Sequence, residues 1–347
     1  MKKVISILIF FGFLFFSFDG FLDFISHVKP SLTNYFSEGN KINSLPADVK
    51  RMNISQAIDD VNGIKYSMMR VVGKVPLPGD YGSYRIGVKG DRKIDYYNDK
   101  NISNNSKRIL ILGSSQSFGY FSSSVDNFAN RLAMELSEYR ISNFSVPGQM
   151  IAETAANWQR LSLLGEKFDK VIIVEGPIDF YNYCSPGFDL SLIEGHRMAV
   201  MKLIDKLSQV YNAFNRNHEN YHSPCLDGNY KNVLIENVFS QFKNVIEYGR
   251  EIGSETYIIV PPSPYVLNVN IENLNKNDDI LIFRDLVTEL GLGLEKKYQD
   301  IPQVIDMKNI FSEAGPMFLD WGGHFTPKGN KEFAKSVANF IKLTDYK

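Results

Sequence analysis

The chain has 347 residues, 44% of them apolar, enough to bury one large core or two ordinary ones. Its 38 basic and 39 acidic residues leave a net charge of −1, so there is no electrostatic case for a nucleic-acid partner.

Met1-Lys2-Lys3 heads a run over residues 4–18 that is apolar apart from Ser6, Gly12 and Ser17, the length of a signal-peptide core and short for a full membrane span. Phe18, Asp19 and Gly20 follow directly, without small residues at a cleavage spacing, and a second apolar patch covers 21–28. The expectation for 1–28 is a signal peptide or membrane anchor, an uncleaved anchor helix being favoured. The body would then lie outside the cytoplasm, in a bacterial periplasm or at a cell surface. Residues 29–107 are read as a stalk and lead-in packing on the edge of a sheet. Helical stretches are expected within 45–72, turns over 76–82 and a polar surface loop over 99–107.

From Arg108 the pattern alternates. Residues 109–112 form an unbroken apolar run, read as a strand buried on both faces. Gly113 ends it and Ser114-Ser115 follow. A helix is expected over 127–138, a strand over 141–146 ending at Pro147-Gly148, and a helix over 151–164. A third strand, 171–174, ends at Glu175-Gly176-Pro177, and an excursion occupies 181–230. A helix over 233–251, a strand over 256–260, a helix over 281–297 and a strand over 304–306 come next. The last helix, from about Lys328, carries Phe333, Val337, Phe340 and Ile341 on one face. Strands alternating with helices give parallel βαβ units. The predicted architecture is α/β: a flavodoxin-like three-layer αβα sandwich over 108–345, with a parallel sheet of about five strands and an insertion at 181–230.

Ligands of such sheets collect at the carboxyl ends of the strands, where Ser115 would sit. A serine hydroxyl needs a base to take its proton, and the base needs a third group to fix its tautomer. His324 and Asp320, in a glycine-rich turn ahead of the last helix, could fill those roles. Thr326 before Pro327 has the form of an N-cap followed by proline at the first helical position.

Residues 113–119, Gly-Ser-Ser-Gln-Ser-Phe-Gly, resemble the first block of the SGNH (GDSL-type) hydrolases, in the variant Gly-Gly-Ser-Thr-Thr-Phe-Gly. Residues 143–148 resemble the second block, 176–179 the third (Gly-x-Asn-Asp) and 320–329 the last (Asp-x-x-His and a Thr-Pro-x-Gly helix start). The resemblance implies Ser115 as nucleophile, His324 as base and Asp320 as its orienting acid. It also implies an oxyanion hole of the Ser115 and Gly148 N–H groups, and no cofactor or metal. Two departures stand out. Ile178 occupies the place of the oxyanion asparagine, a loss worth about 100- to 1,000-fold in rate, with Asn182 a nearby candidate to replace it. Asp320 and His324 enclose three residues where the family has two.

Competing motifs are weaker. There is no Gly-x-Gly-x-x-Gly or Gly-Lys-Ser/Thr at the first turn, and Ser117 stands where an α/β-hydrolase elbow needs glycine. His218-Glu219-Asn220-Tyr221-His222 matches a zinc-protease signature, but in a polar stretch with Pro224 just beyond, which makes a chance match the better reading. Cys184 and Cys225 could pair in an oxidising compartment or remain thiols. Asp179 reads as structural, and Trp321 and Tyr181 to Tyr183 could stack on a sugar ring. The function expected is an extracytoplasmic serine esterase, deacylase or acyltransferase, acting on acylated carbohydrate or another small ester. The alternatives are a non-catalytic glycan-binding or assembly protein of the same fold and, at a distance, a zinc protease through His218 and His222.

Overall fold

The structure, a computed structural model, describes residues 54–97, 106–184, 223–266, 269–272, 274, 278–312 and 315–345. The chain divides into two compact units, 1–44 with 189–220 and 45–188 with 221–347, and every described residue belongs to the second. The expected anchor, residues 29–53 and 98–105 of the expected stalk and lead-in, and most of the expected excursion, with His218 and His222, lie outside the described residues. Among those described, no helix is long and apolar enough to cross a membrane.

Five strands form one parallel sheet: β5 (Arg108–Gly113), β6 (Arg140–Asn143), β7 (Lys170–Val174), β8 (Glu255–Val260) and β9 (Val304–Asp306), in the order β6-β5-β7-β8-β9. That is the flavodoxin-like order, with its switch point between β5 and β7. Every residue of β7, and all of β5 after Arg108, is buried, which is why both read as unbroken Val/Ile/Leu runs.

The short α2 (Ser115–Phe118) follows β5, then α3 (Phe128–Glu135); α4 (Ile151–Leu163) follows β6 and α5 (Pro177–Cys184) follows β7. The remaining helices are α6 (Gly228–Ile252), α7 (Asp278–Tyr298) and α8 (Pro327–Asp345). α8 lies along α3, the rings of Phe128 and Phe333 meeting at 4.7 Å, while α6 packs on α4, α7 and β8. The last approach requires glycine, since a Cβ on Gly249 would fall 1.8 Å from Thr256 Oγ1. These two helix layers around one sheet are the sandwich expected from the sequence.

The lead-in departs from expectation. Its helix, α1 (Ile54–Asn62), stops before Gly63, and two antiparallel hairpins follow: β1 (Tyr66–Met69) with β2 (Gly73–Pro76), and β3 (Gly79–Tyr81) with β4 (Tyr84–Ile86). Of the helical stretches expected within 45–72, the described one is 54–62; Tyr66–Met69 is instead a strand, joined to β2 by a turn in which Val71 takes φ 70° and Gly73 φ 74°. Arg92 then bridges β4 and β6, pairing with both Ile86 and Asn143. The start of the excursion is also helical: Pro177 opens α5 with Asp179 in its first turn, a helix the apolar pattern alone did not reveal. α6 begins five residues earlier than its apolar pattern, at Gly228, because the Asp227 carboxylate caps it by accepting from the N–H groups of Asn229 and Tyr230 (2.7 and 3.1 Å).

Candidate active site

Ser115 owes its place to Gly113. That glycine has φ 137°, and a Cβ on it would lie 2.4 Å from the Val174 carbonyl oxygen and 2.7 Å from Ser117 Oγ. Without a side chain, β5 can turn sharply beside β7 at the switch point. Ser114 is the N-cap of α2 and Ser115 its first residue, so the Ser115 N–H has no partner within the helix. α2 is one turn long and closes at Gly119, φ 80°.

The second part comes from the loop before α8. Phe318 bridges Phe325, and the Leu319 N–H donates to the His324 carbonyl at 2.7 Å, which closes a tight loop over 319–324. Gly323, φ 79°, turns its N–H back to the Asp320 carbonyl (3.2 Å). Asp320 Oδ2 then lies 2.6 Å from His324 Nδ1, and Oδ1 accepts the His324 backbone N–H at 3.2 Å. The residue added to the usual spacing is absorbed in the turn. A carboxylate at that distance fixes the proton on Nδ1 and leaves Nε2 as the acceptor. Thr326 caps α8, its Oγ1 accepting from the Gly329 N–H at 3.1 Å, with Pro327 first in the helix.

Two contacts join these parts. The Gln116 amide donates to the carbonyls of Gly323 (2.9 Å) and Pro262 (3.0 Å), so the residue after Ser115 is bonded to the residue before His324. The imidazole also lies against two rings from the turn after α2: Tyr120 near-parallel at 4.8 Å and Phe121 edge-on at 5.1 Å. Serine turn and histidine loop therefore share one end of the sheet.

The third part is the loop after β6. Val146 donates its N–H to Gly113 O (2.9 Å), and the Asn143 amide donates to Ser117 O (2.9 Å). Gly148, φ 78°, is exposed, with open space where a Cβ would be, and its N–H has no hydrogen-bond partner among the described residues. The loop is pinned on both sides of that N–H. Gln149 Nε2 donates to the Val72 and Lys74 carbonyls of the first hairpin (3.0 and 3.1 Å), and the Ile151 N–H donates to Asp179 Oδ1 (2.9 Å).

Asp179 thus ties α5 to the start of α4. It is fully buried, as is Glu175 at the end of β7, whose Oε1 accepts from the Thr154 hydroxyl at 2.9 Å. Burial, together with the neighbouring carboxyls, raises the pKa of both, Asp179 to about 7. Ile178 falls in the first turn of α5. Asn182 is on the same helix face one turn on, about 6 Å further along the axis, and makes no hydrogen bond among the described residues.

No family model matches the chain, and neither does any curated protein. Solved structures similar to it include a lipase from a goat rumen metagenome, with 12% identity and a TM-score of 0.43, covering 67% of this chain and 97% of that one. A catalytic mutant of an acetylxylan esterase from Geobacillus stearothermophilus shares 11% identity at a TM-score of 0.40, over 69% of this chain and 95% of that one. A member of the lipolytic protein G-D-S-L family from Veillonella parvula shares 12% at 0.40, over 67% and 97%.

Sequence reasoning missed Gln116, Tyr120 and Phe121, whose roles depend on the fold. It missed Arg92 as well, which is 2% exposed and holds the turn after α2; burial lowers its pKa to about 10, so it stays charged at neutral pH. Of the rings expected to stack on a sugar, Trp321 and Tyr183 are buried and Tyr181 is half-buried, with Trp321 and Tyr181 lying against Tyr265 at 5.8 and 5.9 Å. Cys184 and Cys225 form a disulfide, their Cα atoms 5.2 Å apart, tying the end of α5 to the turn before α6. Among the described residues, no group of three or more His, Cys, Asp or Glu side chains could hold a metal.

Proposed function

We propose that this chain is a serine esterase of an extracytoplasmic compartment, a deacylase or acyltransferase acting on O-acyl groups of a surface glycan. The observation that carries the reading is the 2.6 Å contact between Asp320 Oδ2 and His324 Nδ1, in a loop bonded through Gln116 to the turn of Ser115. His324 Nε2 takes the Ser115 proton as Oγ attacks the ester carbonyl. The oxyanion is held by the N–H groups of Ser115 and Gly148, and His324 returns the proton to the departing alcohol. Water then attacks the acyl-serine with His324 as base and releases the acid; a sugar hydroxyl in its place makes the reaction a transfer. The disulfide and the apolar N-terminus support an oxidising location reached by export. An acylated glycan as substrate rests on the resemblance of the four sequence blocks.

A fluorophosphonate probe read by intact mass, with p-nitrophenyl acetate turnover alongside, tests this. The wild type should take up one label and turn over, and Ser115→Ala should do neither. Ile178 at the place of the oxyanion asparagine favours one other reading, a glycan binder that has lost its chemistry. An unlabelled, inactive wild type that still binds acylated oligosaccharide would establish the binder and end the esterase reading.

A further inference from the structure

We infer that Arg92 is a positioning residue of this site, holding the turn that walls in His324; the inference rests on the esterase reading above. Arg92 belongs to the lead-in, ahead of the sheet. Its backbone N–H donates to Asn143 O at 2.9 Å, which fixes it to the end of β6. From there the guanidinium reaches the turn after α2. Nη1 donates to the carbonyls of Phe118 (2.5 Å) and Gly119 (2.7 Å), and Nη2 to those of Ser122 (2.9 Å), Ser123 (3.3 Å) and Ser83 (3.3 Å). It also lies against the faces of Tyr84 and Phe118, at 4.3 and 5.3 Å from the ring centroids.

All five acceptors are main-chain carbonyls, and no carboxylate pairs with Arg92 among the described residues. A buried cation without a counter-ion is costly unless its hydrogen bonds are satisfied, and here the five carbonyls satisfy them. What the arrangement achieves is local. The turn contains two residues in the left-handed region, Gly119 (φ 80°) and Phe121 (φ 60°), and the second is a bulky residue that resists it. Arg92 grips a carbonyl on each side of Phe121. The strained turn is thereby held in the one form that lays Tyr120 and Phe121 against the imidazole. Asn143 gives a second tie from the same place, through its amide to Ser117 O. Only a planar fork spans several carbonyls at once, and a lysine ammonium at the same spot cannot.

Arg92→Lys and Arg92→Met separate the possibilities, using the full chain. Both should fold, with the amides of 118–123 exchanging faster with solvent while those of β5 and β7 stay as protected as in the wild type. Loss of orientation should lower kcat for p-nitrophenyl acetate by about 100-fold, with KM changed by less than about threefold. Lysine should not rescue, although it keeps the charge. A normal kcat with a protected turn would overturn the inference. So would exchange raised evenly through the sheet, or failure of both variants to fold, since either would make Arg92 an ordinary core residue. If the wild type itself neither labels nor turns over, the esterase reading falls, and exchange at 118–123 still judges the hold of Arg92 on the turn.

Discussion

Asp320→Asn is the substitution whose effect the site geometry fixes most tightly. Asp320 makes two bonds, Oδ2 with His324 Nδ1 at 2.6 Å and Oδ1 with the His324 backbone N–H at 3.2 Å. An asparagine can keep the second bond only by turning its oxygen to the backbone, which presents its NH₂ to Nδ1. The ring must then accept at Nδ1 and carry its proton on Nε2, the nitrogen that should receive the Ser115 proton. The fold is little disturbed. Both side chains are mostly buried, at 12% and 20% exposure, and one charge-assisted bond becomes a neutral one, a loss of about 1–2 kcal/mol. The catalytic loss is far larger, because a wrong tautomer in a serine–histidine–aspartate site costs about 10⁴ in kcat, or about 5.5 kcal/mol. The assay is p-nitrophenyl acetate turnover with active-site titration by fluorophosphonate, beside thermal unfolding. A drop below about tenfold, with the protein folded, would refute the assignment of Asp320 as the orienting acid.

Replacing both Cys184 and Cys225 by serine opens a loop of sequence separation 41, worth about 4 kcal/mol in chain entropy, and should lower the melting temperature by roughly 8–16 °C. Thiol labelling that succeeds before reduction would show the bond is absent. Asp179 gives a pH test. Burial raises its carboxyl from 3.8 to about 7, so in that range the folded chain holds a proton the unfolded chain has released. Its contribution to stability therefore falls as pH rises from about 4 to about 7, and Asp179→Asn, neutral throughout, should gain on the wild type between those limits in urea titrations. A difference that stays flat with pH would contradict the raised carboxyl. Gly113→Ala drives a Cβ to within 2.4 Å of the Val174 carbonyl and should cost more than the about 1–2 kcal/mol of positive φ alone. Gly148→Ala, with open space at the same point, should cost only that strain, and equal losses would deny the close approach at Gly113.

The sheet was legible because its strands are buried on both faces. Val171 to Val174 and Ile109 to Leu112 can be nothing but apolar where helices cover them above and below. The caps were legible for a similar reason, since Thr326-Pro327 satisfies a helix end through its own side chain and ring. The hairpins ahead of the sheet were not. Tyr66 to Met69 is half exposed, and its partner is fixed by a turn at Val71, a residue type that rarely signals a left-handed turn. The helix at Pro177 was hidden because Glu175 and Asp179, polar by type, are fully buried within a carboxyl cluster.

The same distinction explains which site residues a motif can reveal. Ser115, Asp320 and His324 act through their own side chains, so their identity is written in the sequence. Gln116, Asn143, Gln149 and Arg92 act by gripping carbonyls, at Gly323, Ser117, Val72 and Phe118 among others, and a carbonyl belongs to every residue type. No pattern in the acceptor segments could mark them. The grip also crosses between the lead-in and the site, Arg92 onto the nucleophile turn and Gln149, beside Gly148, onto Val72 and Lys74. A fragment that starts at residue 106 would keep all five strands and every residue of the proposed chemistry, yet lose these ties along with those of Tyr96 and Tyr97 to Asn130, Tyr139 and Ile141. Such a fragment should be folded and nearly inert, whereas a lead-in that merely covers a sheet edge would leave its activity intact.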